Sequence, residues 1–158
     1  MAPNCDRKRY IQGTKFLTPD LRFARVLHAL IHISLRGRVM SSAEIATMLS
    51  VNAVVVRRML AGLRENGLIE ATKGRTGGWR VVRPLQSISV ADVFEALDRP
   101  GLFKSSVPDA CPTCAVERAV NSALTRIEAD VAGQMLARYQ ALTLRDIARV
   151  ALESETPN

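Results

Sequence analysis

Two sets of residues in this chain have types and spacings that could do chemistry. The first is basic. Arg57 and Arg58 follow Asn52-Ala53-Val54-Val55-Val56 and lie outside the helical apolar stripe Val56, Met59, Leu60 and Leu63. An arginine on the outer face of a helix can make a bidentate contact to a guanine edge, and Val54 one turn earlier shares that side. Further on, Lys73-Gly74-Arg75-Thr76-Gly77-Gly78 combines two cations with three glycines. Such a loop turns sharply and lets backbone approach a phosphate or a groove wall. A nucleotide-cradling loop is the alternative, but the strand-to-helix context and the G-x-x-x-x-G-K-[ST] spacing are missing.

The second set is thiol and imidazole. Cys111-Pro112-Thr113-Cys114 is a C-x-x-C pair, and His28 and His32 stand four apart, on one face of a helix. Together they amount to four tetrahedral zinc ligands, although nothing in the sequence brings the two pairs together. Alone, the cysteines suit redox sensing. Cys114 begins a helix, where the dipole favours a thiolate, so it is the more reactive of the pair. Inert thiols are the alternative. A dithiol oxidoreductase would need a βαβ context that is absent. No Ser/His/Asp set or carboxylate pair suggests other catalysis, and the chain is not expected to be an enzyme.

The elements around the basic set are those needed to present it. Ser41-Ser42-Ala43-Glu44 is a capping box opening a short helix that buries Ile45, Met48 and Leu49. Ser50-Val51-Asn52 breaks the pattern, and Asn52 caps a second helix over residues 53–66, ended by Asn66-Gly67. Residues 68–72 and 79–83 are short β-compatible runs on either side of the glycine-rich loop, and Pro84 ends the second. This order predicts a winged helix-turn-helix, whose second helix enters the major groove. An earlier helix starts at Asp20, with Leu21, Ala24, Leu27, Ile31 and Leu35 as its stripe and Gly37 as its stop. Ser89 caps another, burying Val93, Phe94 and Leu97.

From Cys114 a long helix carries Val116, Val120, Ala123, Leu124, Ile127, Val131 and Met135 on one side. A stripe of that length suits a helix of a second subunit, with folding back on its own domain as the alternative. A last short helix covers residues 144–152. The fold class is therefore mostly α with a small β-wing. The expected organisation is an extension (1–19), the DNA-binding domain (20–98), a cysteine-containing loop (99–113), dimerisation helices (114–152) and a tail (153–158).

Charge agrees with a nucleic-acid partner. Residues 1–99 hold 16 Lys and Arg against eight Asp and Glu, while residues 100–158 hold six against seven. The excess of +7 thus sits wholly with the helix-turn-helix half, where it would neutralise phosphates. The cluster Asp6-Arg7-Lys8-Arg9 could touch the DNA backbone or be solvated. The N-terminus has no apolar signal core and no apolar run is long enough to span a bilayer, so a cytoplasmic protein is expected. Three cysteines do not make a disulfide framework.

With these residues in place, the chain resembles the Rrf2 family of bacterial winged helix-turn-helix regulators, the family of IscR and NsrR, over roughly residues 17–152. The resemblance is carried by Arg22-Phe23-Ala24, Ser42-Ala43-Glu44-Ile45-Ala46 and Met59-Leu60-x-x-Leu63-Arg64-x-Asn66-Gly67-Leu68-Ile69. It continues in Lys73-Gly74-x-x-Gly77-Gly78-Trp79-x-Val81, Ile88-Ser89-Val90-x-Asp92-Val93 and Leu142-Thr143-Leu144-x-Asp146-Ile147. It implies a cytoplasmic homodimer, joined by crossed long helices, that binds a palindromic operator in double-stranded DNA, as a repressor. By position it implies that Val54 and Arg57 read the major groove, that Lys73 enters the minor groove, and that Phe23 and Ser42 lie beside the phosphates. Arg22, Asn52, Arg58, Arg75, Gly77 and Gly78 complete the candidate DNA-binding set. Arg57 departs from the acidic or polar residue of some relatives, so the operator should differ. Cluster-binding members carry three spaced cysteines before the long helix. Here Cys114 matches the last, Cys111 is only three residues earlier, and no third loop cysteine exists. No cofactor is therefore expected. An iron–sulfur or zinc-dependent sensor of the same fold is one alternative, and an adaptor that keeps the fold without reading DNA is another.

Overall fold

A computed structural model describes residues 21–74, 76–98 and 114–154, apart from the side chain of Ser154. The expected Asp20 cap, the basic cluster at residues 6–9, Arg75, Cys5, Cys111 and the loop 99–113 lie outside the described residues. In chain order the elements are α1 (Leu21–Arg36), α2 (Ser42–Leu49), α3 (Ala53–Glu65), β1 (Ile69–Thr72), β2 (Gly78–Val81), a single 3-10 turn (Leu85–Ser87), α4 (Val90–Ala96), α5 (Ala115–Ala141) and α6 (Leu144–Ser154). The two strands pair antiparallel, Ile69 opposite Val81 and Thr72 opposite Gly78. This is the helical architecture with a small β-wing that the sequence predicts.

Local chemistry accounts for most boundaries. The Ser41 hydroxyl accepts from the Glu44 amide at 3.2 Å, while the Glu44 carboxylate accepts from the Ser41 amide at 2.8 Å. Both halves of the expected capping box are thus made. The Asn52 side chain accepts from the Val54 amide at 2.8 Å and caps α3. Gly67 ends that helix at φ +67°, a left-handed conformation in which a side chain is strained. Ser89 with Asp92, and Thr143 with Asp146, repeat the capping-box pattern at α4 and α6.

The core is one cluster, to which α1 contributes Val26, Ala29, Leu30 and Ile33, α3 contributes Val56, Met59, Leu60 and Leu63, and α6 contributes Leu144 and Ala148. On α1 the buried face is turned from the stripe read in the sequence. Leu21 and Leu35 are half exposed, at 52% and 48%, and Ala24 is exposed. Arg25, His28, His32 and Arg36 share one arc of the helix and apolar residues fill the wide remainder, so spacing alone could not say which part of that broad apolar face meets β2, α4 and α6.

Helices α3 and α4 pack so closely at Gly62 that a Cβ there would stand 2.4 Å from the Ala96 carbonyl oxygen. Gly133, inside α5, has nothing within 4 Å of the same position. Opposite outcomes are expected from one substitution. Gly62→Ala should destabilise by about 1–3 kcal/mol, because overpacking outweighs helix propensity. Gly133→Ala should stabilise by roughly 0.5–1 kcal/mol through propensity alone. Urea unfolding of the two variants checks the pair.

Candidate nucleic-acid interface

Helix α3 divides its residues cleanly. Val56, Met59, Leu60 and Leu63 are buried, whereas Val54, Val55, Arg57, Arg58 and Arg64 are exposed. Its burial fixes which way the helix is turned, and the arginines therefore face outward. Arg57, Arg58, Arg64 and Lys73 have no ion-pair partner among the described residues. The other cations nearby are engaged. Arg38 pairs with Glu44 at 2.7 Å, Arg80 with Glu70 at 2.5 Å, and Arg83 donates to the Ser87 carbonyl and approaches Asp92 at 3.8 Å. Around α3 and the wing, the exposed cations without an ion-pair partner among the described residues are thus those on the outer face of α3 and at the end of β1. Such a local group of free cations suits a polyanion.

The wing is held against α2 by backbone. Met40 and Trp79 exchange two hydrogen bonds, 3.0 Å and 2.8 Å long, which give β2 a second, one-residue partner beside β1. The Trp79 indole Nε1 donates to the Ser42 Oγ at 2.9 Å. Two glycines make this possible. A Cβ on Gly78 would sit 2.3 Å from the Met40 carbonyl oxygen, and one on Gly77 would sit 2.3 Å from that of Thr72. The close approach expected of these glycines is thus made to their own chain. Lys73 is exposed before Gly74, whose φ of +104° lets the loop turn.

Two candidate residues occupy a different place. Arg22 donates to the Leu97 carbonyl at 3.3 Å, at the end of α4. Phe23 stacks edge-on against Phe94, centroids 5.5 Å apart, and lies 5.6 Å from Tyr139, whose ring also meets Phe94 at 5.5 Å. This aromatic trio joins α1, α4 and the last turns of α5, so Phe23 has a packing role whatever else it does. The part of Trp79 was not read from the sequence. The signal available was a lone Trp directly after a Gly-Gly pair.

His28 and His32 do come together, with ring centroids 4.7 Å apart, and burial followed by the His32 charge holds the His28 pKa below its usual value. Among the described residues no group of three or more His, Cys, Asp or Glu could hold a metal ion. Cys114 is an exposed free thiol at the N-cap of α5. Also among the described residues, no single helix is long and apolar enough to cross a membrane.

A capped helix, a tight turn, a second helix with an outward basic face and a two-stranded wing define a winged helix-turn-helix protein. The chain matches the Rrf2 family, described as an iron-dependent transcriptional regulator, over residues 20–150, and belongs to that family of DNA-binding regulators. It is similar to the HTH-type transcriptional regulator IscR of Cereibacter sphaeroides, with 31% identity over 81 residues, 49% of this chain and 51% of that one. It therefore spans about half the length of that relative. It is also similar to the Mycobacterium tuberculosis protein Rv1287, 28% identical over 121 residues, 73% of this chain and 70% of that one. Among solved structures, T. potens IscR has the same fold at a TM-score of 0.64 and 20% identity, covering 92% of this chain and 96% of that one. The oxidised form of Staphylococcus aureus CymR has it at 0.61 and 19%, covering 90% and 99%.

The α2 cap carries a charge whose titration can be followed. Glu44 is held down to about 2, first by its hydrogen bond to Arg38 and then by those to Ser41. A carboxylate with a lowered folded pKa stabilises above its unfolded pKa, and that stabilisation fades as pH falls toward the folded one. Wild type should exceed Glu44→Gln in thermal stability at neutral pH. The gap should close between about pH 4.5 and about pH 2. Melts of both proteins across that range check it, and a gap unchanged at low pH would contradict the assignment.

Proposed function

We propose that the protein is a homodimeric, sequence-specific transcriptional regulator that binds a palindromic operator in double-stranded DNA. The observation that carries this reading is the unpaired, outward basic face of α3. Arg57 and Val54 are its base-reading residues, Arg58 and Asn52 border them, and Lys73, Arg75 and the Gly77-Gly78 wing follow the minor groove. Ser42 meets a phosphate beside α2, while Arg22 and Phe23, candidates for further phosphate contacts, sit apart against the end of α4 and the Phe94–Tyr139 rings. Occupying the site is itself a means of regulation, so the reading takes the protein as a repressor.

Dimerisation is supported by α5. This helix has 27 residues and buries none of them within the chain. Val116 (70% exposed), Val120, Leu124, Ile127 (61%) and Val131 form an apolar stripe along it. A stripe of this length left to water would cost several times what one exposed side chain does, at about 25 cal/mol per Å² of apolar surface. The same stripe from a second copy covers it by symmetry. Residues 20–98 then form the DNA-binding unit and residues 114–152 the dimerisation unit.

Cys114 at the N-cap of α5 supports a thiol response of the same regulator. Oxidation of Cys111 and Cys114 would act where the dimer helix begins and change the angle between the two DNA-binding units. Operator affinity should fall on diamide treatment of wild type and stay constant in Cys111→Ser/Cys114→Ser. An equal response in both proteins would remove the thiol reading and leave DNA binding standing.

Fluorescence anisotropy with a duplex enriched from a random library tests the function. Affinity should fall steeply with salt. Arg57→Ala should cost about 1–3 kcal/mol and relax the selected sequence, while Lys73→Ala should weaken all duplexes alike and reduce the salt slope by about 1. Unchanged binding in both variants would sink the site assignment.

A further inference from the structure

We infer that Trp79 is a positioning residue for DNA binding. Its indole N–H orients the Ser42 hydroxyl so that the hydroxyl proton is presented to a backbone phosphate. The inference rests on the DNA-binding reading above and goes beyond it, because it assigns a task to a residue that touches no DNA.

Three observations converge on this role. Trp79 is 7% exposed, so the indole cannot itself reach a duplex, yet its polar edge is not buried blindly. Nε1 donates to the Ser42 Oγ at 2.9 Å across 37 positions of sequence. An indole N–H is donor only, so in this bond the serine oxygen must be the acceptor. The hydroxyl keeps its own proton, and no described residue accepts it. The half-buried Ser42 thus has a donor to offer, directed away from the indole. It is also the first residue of α2, beside amides that the capping box does not use. A phosphate oxygen is the acceptor that fits a hydroxyl donor at a helix start.

The indole is itself fixed. The paired Met40 and Trp79 backbones and the absent side chain of Gly78 leave the ring no freedom to slide along β2. Neighbouring Ser41 is locked by the capping box, and Glu44 by Arg38. One rigid unit therefore carries both the start of α2 and the base of the wing. The spacing between the Ser42 contact and the Lys73 contact becomes a property of the fold. A free serine would have to give up rotamer freedom on binding, whereas this one has already done so.

The experiment is a double-mutant cycle with Trp79→Phe and Ser42→Ala in the full-length protein. Anisotropy would be read on the library-enriched duplex and on a mixed-sequence duplex of about 30 base pairs, since phosphate contacts carry no sequence information. Each single variant should bind about 3- to 10-fold more weakly on both duplexes, the size expected for one net hydrogen bond. The double variant should bind no more weakly than Ser42→Ala alone, and the salt slope should stay that of wild type, since no cation is lost. A folded Trp79→Phe that binds like wild type, or losses that multiply in the double variant, would overturn the inference. Should Trp79→Phe fail to fold, Ser42→Ala and the indole signal decide instead. Trp79 is the one tryptophan in the chain, so its N–H gives a single NMR resonance. That resonance should shift when wild type binds duplex and should not shift in Ser42→Ala. An unmoved wild-type signal, or Ser42→Ala binding at wild-type strength, overturns it. Wild type that binds no duplex at all would remove the DNA-binding reading first, which is a distinguishable result.

Discussion

The backbone pairing of Met40 with Trp79 is the constraint on which the winged-helix half of the molecule depends. It is two hydrogen bonds long, and it exists because residue 78 has no side chain to hold the two segments apart. Through it the wing is joined to the residues that open α2. Helix α2 packs on α3, and α3 is turned by its own buried stripe so that Arg57 and Arg58 face out. Loosening this pairing would leave every helix intact. It would free the wing and α3 to move separately, and in the proposed complex the contact surface would lose its fixed spacing.

The other half of the molecule shows a different balance. Helix α5 is secured near its C-terminal end by the Phe23–Phe94–Tyr139 trio and by the bonds of Val90 to Leu142 and Leu144 to Ile88. Its apolar stripe, from Val116 to Val131, is exposed. Helix propensity alone holds a segment of this length weakly in water, so the helix gains most of its stability from whatever packs on it. In the proposed dimer the same association that stabilises α5 also sets the distance between two reading helices. Stability and DNA recognition are then coupled, and a change at Cys114, where α5 begins, reaches both.

How much of this was legible in the sequence follows from how local each determinant is. The caps at Ser41, Asn52 and Ser89 and the stop at Gly67 involve residues within four positions of one another, and the sequence analysis places them to within a residue or two. The outward turn of Arg57 and Arg58 was legible because α3 has one apolar side. Helix α1 has an apolar face wider than one stripe, and of the stripe chosen from spacing only Ile31 is buried, with Leu27 packed beside it, while Leu21, Ala24 and Leu35 are exposed. The contact of Trp79 with Ser42 was out of reach for a different reason. It joins residues far apart in the chain through a strand pairing that no pattern of either segment announces. Gly77 and Gly78 are read in the sequence as allowing a sharp turn and close backbone approach to a phosphate or groove wall, and the fold also brings them close to the Thr72 and Met40 carbonyls.

The central claim is that two copies of α3, held at a fixed distance by paired α5 helices, read one duplex. Hydroxyl-radical footprinting of wild type on a library-enriched duplex tests it most directly, because it maps backbone contacts on both strands without naming the operator. The account predicts two protected patches on each strand, related by a two-fold centre and separated by about one helical turn or a multiple of it. A single unsymmetrical patch, at protein concentrations that saturate the duplex, would contradict it.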